Sequence, residues 1–163
     1  LPPDVAPAAR LVFTAHSIPV SMAARSRYQE QLALSARLVA EQTGMSDYAV
    51  VYQSRSGRPE DPWLGPDVCD YLREARAAGL QAAVLCPIGF VCDHLEVLYD
   101  LDHAAADVCR EIGLPMVRAQ TVNDNPLFLD MMADVVLAVL RRSARGRVLS
   151  LVPAPVPAGS RPN

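Results

Sequence analysis

Lysine is absent from this sequence, and all 15 of its basic residues are arginine. Because 18 acidic residues outnumber them, the formal net charge is −3, and the chain lacks the basic excess typical of nucleic-acid binding. No apolar run reaches the roughly 18 residues that cross a bilayer, and no signal-peptide pattern opens the sequence. These absences predict a cytoplasmic, globular protein that has no transmembrane segment and binds no nucleic acid.

Closely spaced cysteine pairs are also missing. Of the four cysteines, Cys86 and Cys92 stand six residues apart, while Cys69 and Cys109 stand alone within predicted helices. Zinc and iron–sulfur ligation favour tighter pairs on loops. We therefore interpret the four cysteines as small buried residues of a protein in a reducing compartment.

Short apolar runs alternate with longer amphipathic segments in the order β-α-β-α-β-α-β-α. This order predicts an α/β fold, a doubly wound parallel four-stranded sheet with helices on both faces, as in one Rossmann-like lobe. The predicted strands are Leu11–Ala15, Ala49–Gln53, Ala82–Pro87 and Pro115–Ala119. The predicted helices are Tyr28–Gln42, Asp67–Ala78, His94–Ile112 and Leu127–Arg142.

Composition divides the chain into three parts. Residues 1–10 are rich in proline, do not begin with Met and resemble an interdomain linker entered in mid-protein. Residues 11–142 form the predicted domain, which is long enough for a core of its own. Residues 143–163 are rich in Pro, Gly and Arg and are predicted to be a loose tail.

Three segments are predicted to meet at one edge of the sheet. In doubly wound sheets ligands bind beyond the carboxyl ends of the strands. His16 follows the first strand there, residues 54–63 follow the second, and residues 90–96 follow the third. A histidine in that position is either a metal ligand or base, because its pKa lies near neutrality, or a structural residue bonded to a loop.

The third of these segments leads into a helix with a polar face. Glu96, Asp100, His103 and Asp107 are spaced by four, three and four residues, so they share that face. The row is either a solvated stripe or a path that leads a hydrated cation to the edge. Because Glu96 lies at the end near His16, one imidazole and one carboxylate would form a weak, open site for a divalent first-row metal held briefly.

The Gly- and Pro-rich loop after the second strand contains the one tryptophan, Trp63. A flat aromatic side chain on a loop at a ligand edge indicates a flat apolar ligand. The alternative is that the indole fills a gap in the core.

Three motifs together resemble the carboxy-terminal half of ferrochelatase, in that family's order and spacing. They are "FTAHSIPVS" (13–21), "YQSRSG…PWLGP" (52–66) and "PIGFVCDHLEVLYDLD" (87–102), and "NPLF" (125–128) fits as well. The resemblance runs from about Leu11 to about Leu140. It implies a chelatase-like lobe of an enzyme that inserts ferrous iron into a porphyrin during haem biosynthesis. The Arg- and Ala-rich composition resembles actinobacterial members, for which the expected substrate is coproporphyrin III.

The resemblance also implies roles for individual residues. His16 and Glu96 match the catalytic pair, which binds metal or accepts pyrrole protons. Asp100 matches the next residue on the path of metal or protons, and His103 stands beside Ala104, where many relatives have a carboxylate. The helix that carries Glu96 is expected to contain a π-type turn. The residues matched to the porphyrin pocket are Trp63, Phe90, Tyr28 and Ile18.

The resemblance implies Fe²⁺ as a substrate, no tightly bound cofactor and no iron–sulfur cluster. It also implies a partner, the amino-terminal lobe of the family, in the same chain or in a second subunit, without which this lobe would be an inefficient chelatase. Three alternatives remain. They are a single-lobed cobalt- or sirohydrochlorin-type chelatase acting as a homodimer, a non-catalytic porphyrin- or haem-binding module, and a flavodoxin-like domain without an active site.

Overall fold

The computed structural model describes residues 1–58 and 60–144. Their strands form one parallel four-stranded sheet in the order β2-β1-β3-β4, which confirms the predicted doubly wound α/β class. The strands are β1 (Ala9–His16), β2 (Tyr48–Gln53), β3 (Ala82–Cys86) and β4 (Met116–Arg118).

The helices follow the predicted order. A single 3₁₀ turn (Ala6–Ala8) precedes β1, and a π-helix (Leu98–Ala105) lies between α4 and α5. None of the described helices is long and apolar enough to cross a membrane. The α-helices are α1 (Val20–Ala23), α2 (Tyr28–Thr43), α3 (Val68–Ala77), α4 (Leu95–Val97), α5 (Ala106–Glu111) and α6 (Pro126–Ala144).

The boundaries of the eight predicted elements agree with the structure to within two residues, but α1 was not predicted. Two of the boundaries differ by two residues, and one of them is the start of β1, which lies at Ala9 rather than Leu11, so the predicted lead-in is too long. Ala9 and Arg10 carry no apolar signal of their own, but they pair with β3. The predicted tail from 143 loses two residues to α6, and residues 145–163 lie outside the described part of the chain.

The two faces of the sheet bury different side chains of β1. Val12 packs in a cluster with Leu72 of α3 and Leu101 of the π-helix. Phe13 packs on the opposite face, with Ala36 and other residues of α2. Because β1 is apolar on both faces and central in the sheet, helices cover it on both sides, as predicted.

The chain divides into two compact units, Leu1–Asn123 and Asp124–Asn163, and the sheet lies in the first. In the second unit, α6 begins as the sequence predicts. Pro126 is its first residue, and the Leu127 amide donates to Asn125 Oδ1 at 3.0 Å.

All four cysteines are free thiols. Burial is the largest cause that raises the pKa of both Cys69 and Cys109 to about 11, so these thiols stay protonated at neutral pH. The prediction of buried cysteines is confirmed for Cys109, while Cys69 and Cys86 are only partly buried. It is wrong for Cys92, which is exposed because it lies in the loop after β3.

Candidate functional site

His16 is the last residue of β1, and its ring orientation is set by its neighbour. The His16 Nδ1 atom lies 2.5 Å from the carbonyl oxygen of Ser17. Because a carbonyl oxygen can only accept a hydrogen bond, Nδ1 is the donor. In the neutral ring the lone pair is therefore on Nε2, where it is free to accept a proton or bind a metal.

Glu96 faces that nitrogen. Its Oε2 atom lies 3.7 Å from His16 Nε2, and the two side chains are 51% and 33% exposed, respectively. Two donor atoms at this separation can both lie about 2.1 Å from one ion. The structure thus brings together the two residues that the sequence singled out.

This pair is an open site. Among the described residues, no group of three or more His, Cys, Asp or Glu side chains is placed to hold a metal ion together. An ion at His16 and Glu96 would therefore take its other ligands from water or from a bound molecule. Such a site suits an ion in transit better than one held for structure.

The helix that carries Glu96 widens at once into the π-helix, as the resemblance implied. Asp100 lies in this segment, one wide turn beyond Glu96, and Ala104 lies one wide turn further on. His103 lies beside this line, because its ring packs against Tyr99 with the centroids 6.3 Å apart. π-Helical turns often occur at functional sites.

Asp100 is held by the residues that end and follow β2. The Ser54 hydroxyl donates to Asp100 Oδ2, and Gln53 Nε2 lies 3.4 Å from the same oxygen. Gln53 Nε2 is also 3.4 Å from the backbone carbonyl of Glu96, and Gln53 is buried. Sequence reasoning placed Ser54 at this edge but gave neither residue a role. The available signal was a polar Gln-Ser pair directly after a buried strand.

A surface cavity of about 270 Å³ opens beside these carboxylates. It is small for an organic ligand, since pockets for such ligands have about 300–1,000 Å³, but it has room for a hydrated ion. Its lining residues are Ser54, Arg55, Leu95, Glu96, Tyr99 and Asp100.

Ile18 and Trp63 lie next to His16 because two loops pair there. The Leu64 amide donates to the Ile18 carbonyl at 3.0 Å, and Pro19 and Trp63 form an antiparallel bridge. The Trp63 indole also packs on Gly57, where a Cβ would lie 3.1 Å from Cζ2. Trp63 thus braces its own loop while standing at the edge of the sheet.

Phe90 is partly buried against the core and meets the His94 ring edge-on, with centroids 5.1 Å apart. His94 was not assigned a role from the sequence. Its Nδ1 atom accepts a hydrogen bond from the Glu96 amide at 3.3 Å, so it caps the helix that carries the glutamate. A polar residue just before a helical pattern was the available signal.

Tyr28 is turned toward the backbone of the histidine. Its hydroxyl donates to the His16 carbonyl at 2.8 Å. Burial is the main cause that raises the pKa of Tyr28, so the phenol stays protonated and remains a donor.

Comparisons with known proteins agree with the motifs. The ferrochelatase family model matches residues 3–140. A coproporphyrin III ferrochelatase of Mycolicibacterium smegmatis is 44% identical over 161 residues, which are 97% of this chain and 47% of that protein. A ferrochelatase of Rhodopirellula baltica is 50% identical over 128 residues, 78% of this chain and 36% of that protein. The chain thus spans about half the length, or less, of these curated relatives.

A solved structure has the same fold. It is a cobalamin (vitamin B12) biosynthesis CbiX protein from Marinobacter aquaeolei, with a TM-score of 0.55 and 19% identity. The match covers 82% of this chain and 98% of that one. At this identity the likeness shows the fold alone.

Proposed function

Because this chain belongs to the ferrochelatase family, we propose that its protein inserts ferrous iron into a porphyrin, coproporphyrin III, in haem biosynthesis. The observation that carries the proposal is the pair of His16 Nε2 and Glu96 Oε2, 3.7 Å apart at the carboxyl edge of the sheet. The relatives named for this activity supply the substrate.

Iron insertion must remove two pyrrole protons as one Fe²⁺ enters the ring. His16 is suited to accept the first proton, because the Ser17 carbonyl holds the hydrogen on Nδ1 and leaves Nε2 free. Glu96 is close enough to stabilise the imidazolium that forms, or to guide the ion. His16 would then pass this proton to Glu96 and accept the second one, so that two positive charges leave the site as the two charges of Fe²⁺ enter it.

Asp100 continues this path outward. It lies one wide turn beyond Glu96, and both carboxylates line the cavity of about 270 Å³. We assign Asp100 to the transfer of protons or hydrated iron between this cavity and the catalytic pair. His103, which packs on Tyr99 beside the line, would extend the path only through a change of its ring orientation.

Ile18, Trp63, Phe90 and Tyr28 complete the porphyrin side of the proposal. Ile18 and Trp63 flank His16 through the paired loops, and Phe90 follows β3. Apolar side chains of the segments at this edge are also exposed, which fits a flat apolar ligand. They are Val20, Met22, Val91 and Leu95.

A second lobe, in the same chain or in another subunit, is part of the proposal. The open, two-donor site and the exposed apolar edge both leave room for a cover, and the curated relatives are about twice as long as this chain. We also place the protein in the cytoplasm, which its free thiols support, because they persist in reducing compartments.

The test uses the protein as its cell produces it and supplies Fe²⁺ and coproporphyrin III without oxygen. The rate of iron insertion is measured from the change in porphyrin absorbance. We expect His16→Ala and Glu96→Gln each to lower kcat by about 100-fold or more, since a proton-transfer group contributes about 10²–10⁴. Glu111→Gln is the control, because the Glu111 side chain is exposed and lies at the end of α5, away from Glu96. This variant should leave kcat unchanged. Near-normal insertion by both site variants would refute the assignment.

The same assay separates the alternatives. Turnover of sirohydrochlorin with Co²⁺ but not of coproporphyrin III with Fe²⁺ would favour the single-lobed chelatase class. Tight porphyrin binding with no metal insertion under any of these conditions would favour a binding module.

A further inference from the structure

Arg118, the last residue of β4, binds two carboxylates, although the proposed catalytic path does not include it. Its side chain is only 13% exposed. Nε and Nη2 donate to the two carboxylate oxygens of Asp102, at 2.6 and 2.9 Å. This is a bidentate ion pair, the geometry for which a guanidinium is suited and an ammonium is not.

The same guanidinium reaches a second carboxylate. Nη1 donates to Asp93 Oδ1 at 3.0 Å and to the Ala119 carbonyl at 3.2 Å. Asp93 is bound on its other side by Asn123, whose Nδ2 donates to Oδ2 at 3.1 Å. Arg118 therefore contacts one carboxylate before α4 and another within the π-helix.

These two contacts lie on either side of Glu96 and Asp100 along the chain. Asp93 lies three residues before Glu96, and Asp102 lies two residues after Asp100. If the segment rewound from a π-helix to an α-helix, Asp102 would turn about the helix axis relative to Asp93. Because a bidentate ion pair needs a defined orientation of the carboxylate, we expect this rotation to break the contact of Arg118 with Asp102, so the pair of contacts favours the π-helical form.

We propose that Arg118 is a positioning residue that holds the 93–102 segment in its π-helical form and so keeps Glu96 and Asp100 in line with His16. The proposal rests on the function proposed above. Arg118 touches neither of these two carboxylates, so it acts through the backbone that carries them. If Arg118 only stabilised the fold, its replacement would lower activity only in proportion to the fraction of protein that unfolds.

Arg118→Lys keeps the charge and most of the length of the side chain but cannot bind Asp102 in bidentate fashion while contacting Asp93. In the protein as its cell produces it, at a temperature where it is fully folded, we expect kcat for iron insertion to fall by 10-fold or more. The KM for porphyrin should change by less than twofold, because the four residues matched to the porphyrin pocket, Ile18, Tyr28, Trp63 and Phe90, all lie outside the 93–102 segment. Amide hydrogen exchange in residues 98–105 should become at least 10-fold faster.

Arg73→Lys is the matched control. Arg73 Nη1 donates to Glu111 Oε2 at 2.9 Å, so it ties α5, at the far end of the same helical run, to α3. This variant should leave kcat and the exchange of residues 98–105 unchanged. Should Arg118→Lys not fold, Asp102→Asn removes one partner of the same pair at a more exposed position and is expected to give the same two changes.

The outcomes separate the two proposals. A wild-type protein that inserts no metal would refute the proposed function, while the exchange measurement would still decide whether Arg118 holds the π-helix. Wild-type activity together with a normal kcat in Arg118→Lys would overturn the positioning role, as would unchanged exchange in residues 98–105.

Discussion

Tyr28, the first residue of α2, donates its hydroxyl to the backbone carbonyl of His16, the last residue of β1, at 2.8 Å. The carbonyl belongs to the residue whose side chain faces Glu96. The contact therefore joins the start of a helix to the end of the strand that presents the imidazole proposed to be catalytic.

Tyr28→Phe removes this hydrogen bond and little else. We expect the free energy of unfolding to fall by about 1 kcal/mol, the usual net contribution of such a bond. We also expect kcat to fall, since the strand end that presents His16 loses a support. Urea denaturation and the iron-insertion assay measure the two effects.

Tyr48→Phe is the control for this change. The Tyr48 ring packs edge-on against Phe13, with centroids 5.6 Å apart, and within the described residues its hydroxyl makes no hydrogen bond. Removing the Tyr48 hydroxyl should lower the free energy of unfolding by less than about 0.5 kcal/mol, as at most surface positions. Equal losses in the two variants would show that the Tyr28 hydroxyl has no special role.

Gly89 packs directly on β1. A Cβ at this position would lie 2.6 Å from Ala15 Cβ and 2.8 Å from Ala15 Cα, and the Gly89 amide donates to the Thr14 carbonyl at 3.1 Å. Gly89→Ala must push the loop off the strand, at a cost of about 1–3 kcal/mol. Because the loop carries Phe90, porphyrin binding should weaken as well, which fluorescence titration would detect.

Gly113→Ala is the control for Gly89→Ala, because Gly113 does not approach another segment closely. Gly113 has φ 62°, but no atom lies within 4 Å of its Cβ position. We expect a cost of about 1 kcal/mol from the backbone conformation alone, with unchanged porphyrin binding. If Gly89→Ala also left porphyrin binding unchanged, the position of Phe90 would not depend on Gly89.

Asp93 should make stability depend on pH in the acid range. The pKa of the Asp93 carboxyl lies below its ordinary value of 3.8, mainly because Asn123 donates a hydrogen bond to it. Hydrogen bonds from Thr121 and Arg118 and the positive charge of Arg118 lower this pKa further. The unfolded chain thus takes up this proton at higher pH than the folded protein does. The carboxylate stabilises the fold above about pH 4, and this contribution is lost as the pH falls through the lower folded pKa.

Asp93→Asn should therefore be less stable than the wild type at pH 7, by an amount that shrinks as the pH is lowered below 4. Urea denaturation at a series of pH values measures both curves. A difference that stayed constant from pH 7 to pH 3 would be inconsistent with a lowered pKa of Asp93.

Much of the fold follows from local patterns. Alternating apolar runs and amphipathic segments predicted the four strands and the long helices, because the burial of one face depends on neighbours within a few residues. The same patterns missed α1, a four-residue helix with one buried residue, and the first two residues of β1. Both owe their structure to contacts with other segments, which a local pattern does not contain.

The sequence by itself determined that His16 would stand at a strand end, that Glu96 would begin a helix on the same edge, and which family the motifs resemble. Only the tertiary structure decided that Ser54 and Gln53 hold Asp100, that Tyr28 reaches the His16 carbonyl, and that Arg118 joins Asp93 to Asp102. The physical reason is that hydrophobic periodicity and secondary-structure propensity reflect how one segment of the chain is buried. Hydrogen bonds between distant side chains depend instead on loop paths and rotamers, which are set only when the whole sheet and its helices have packed.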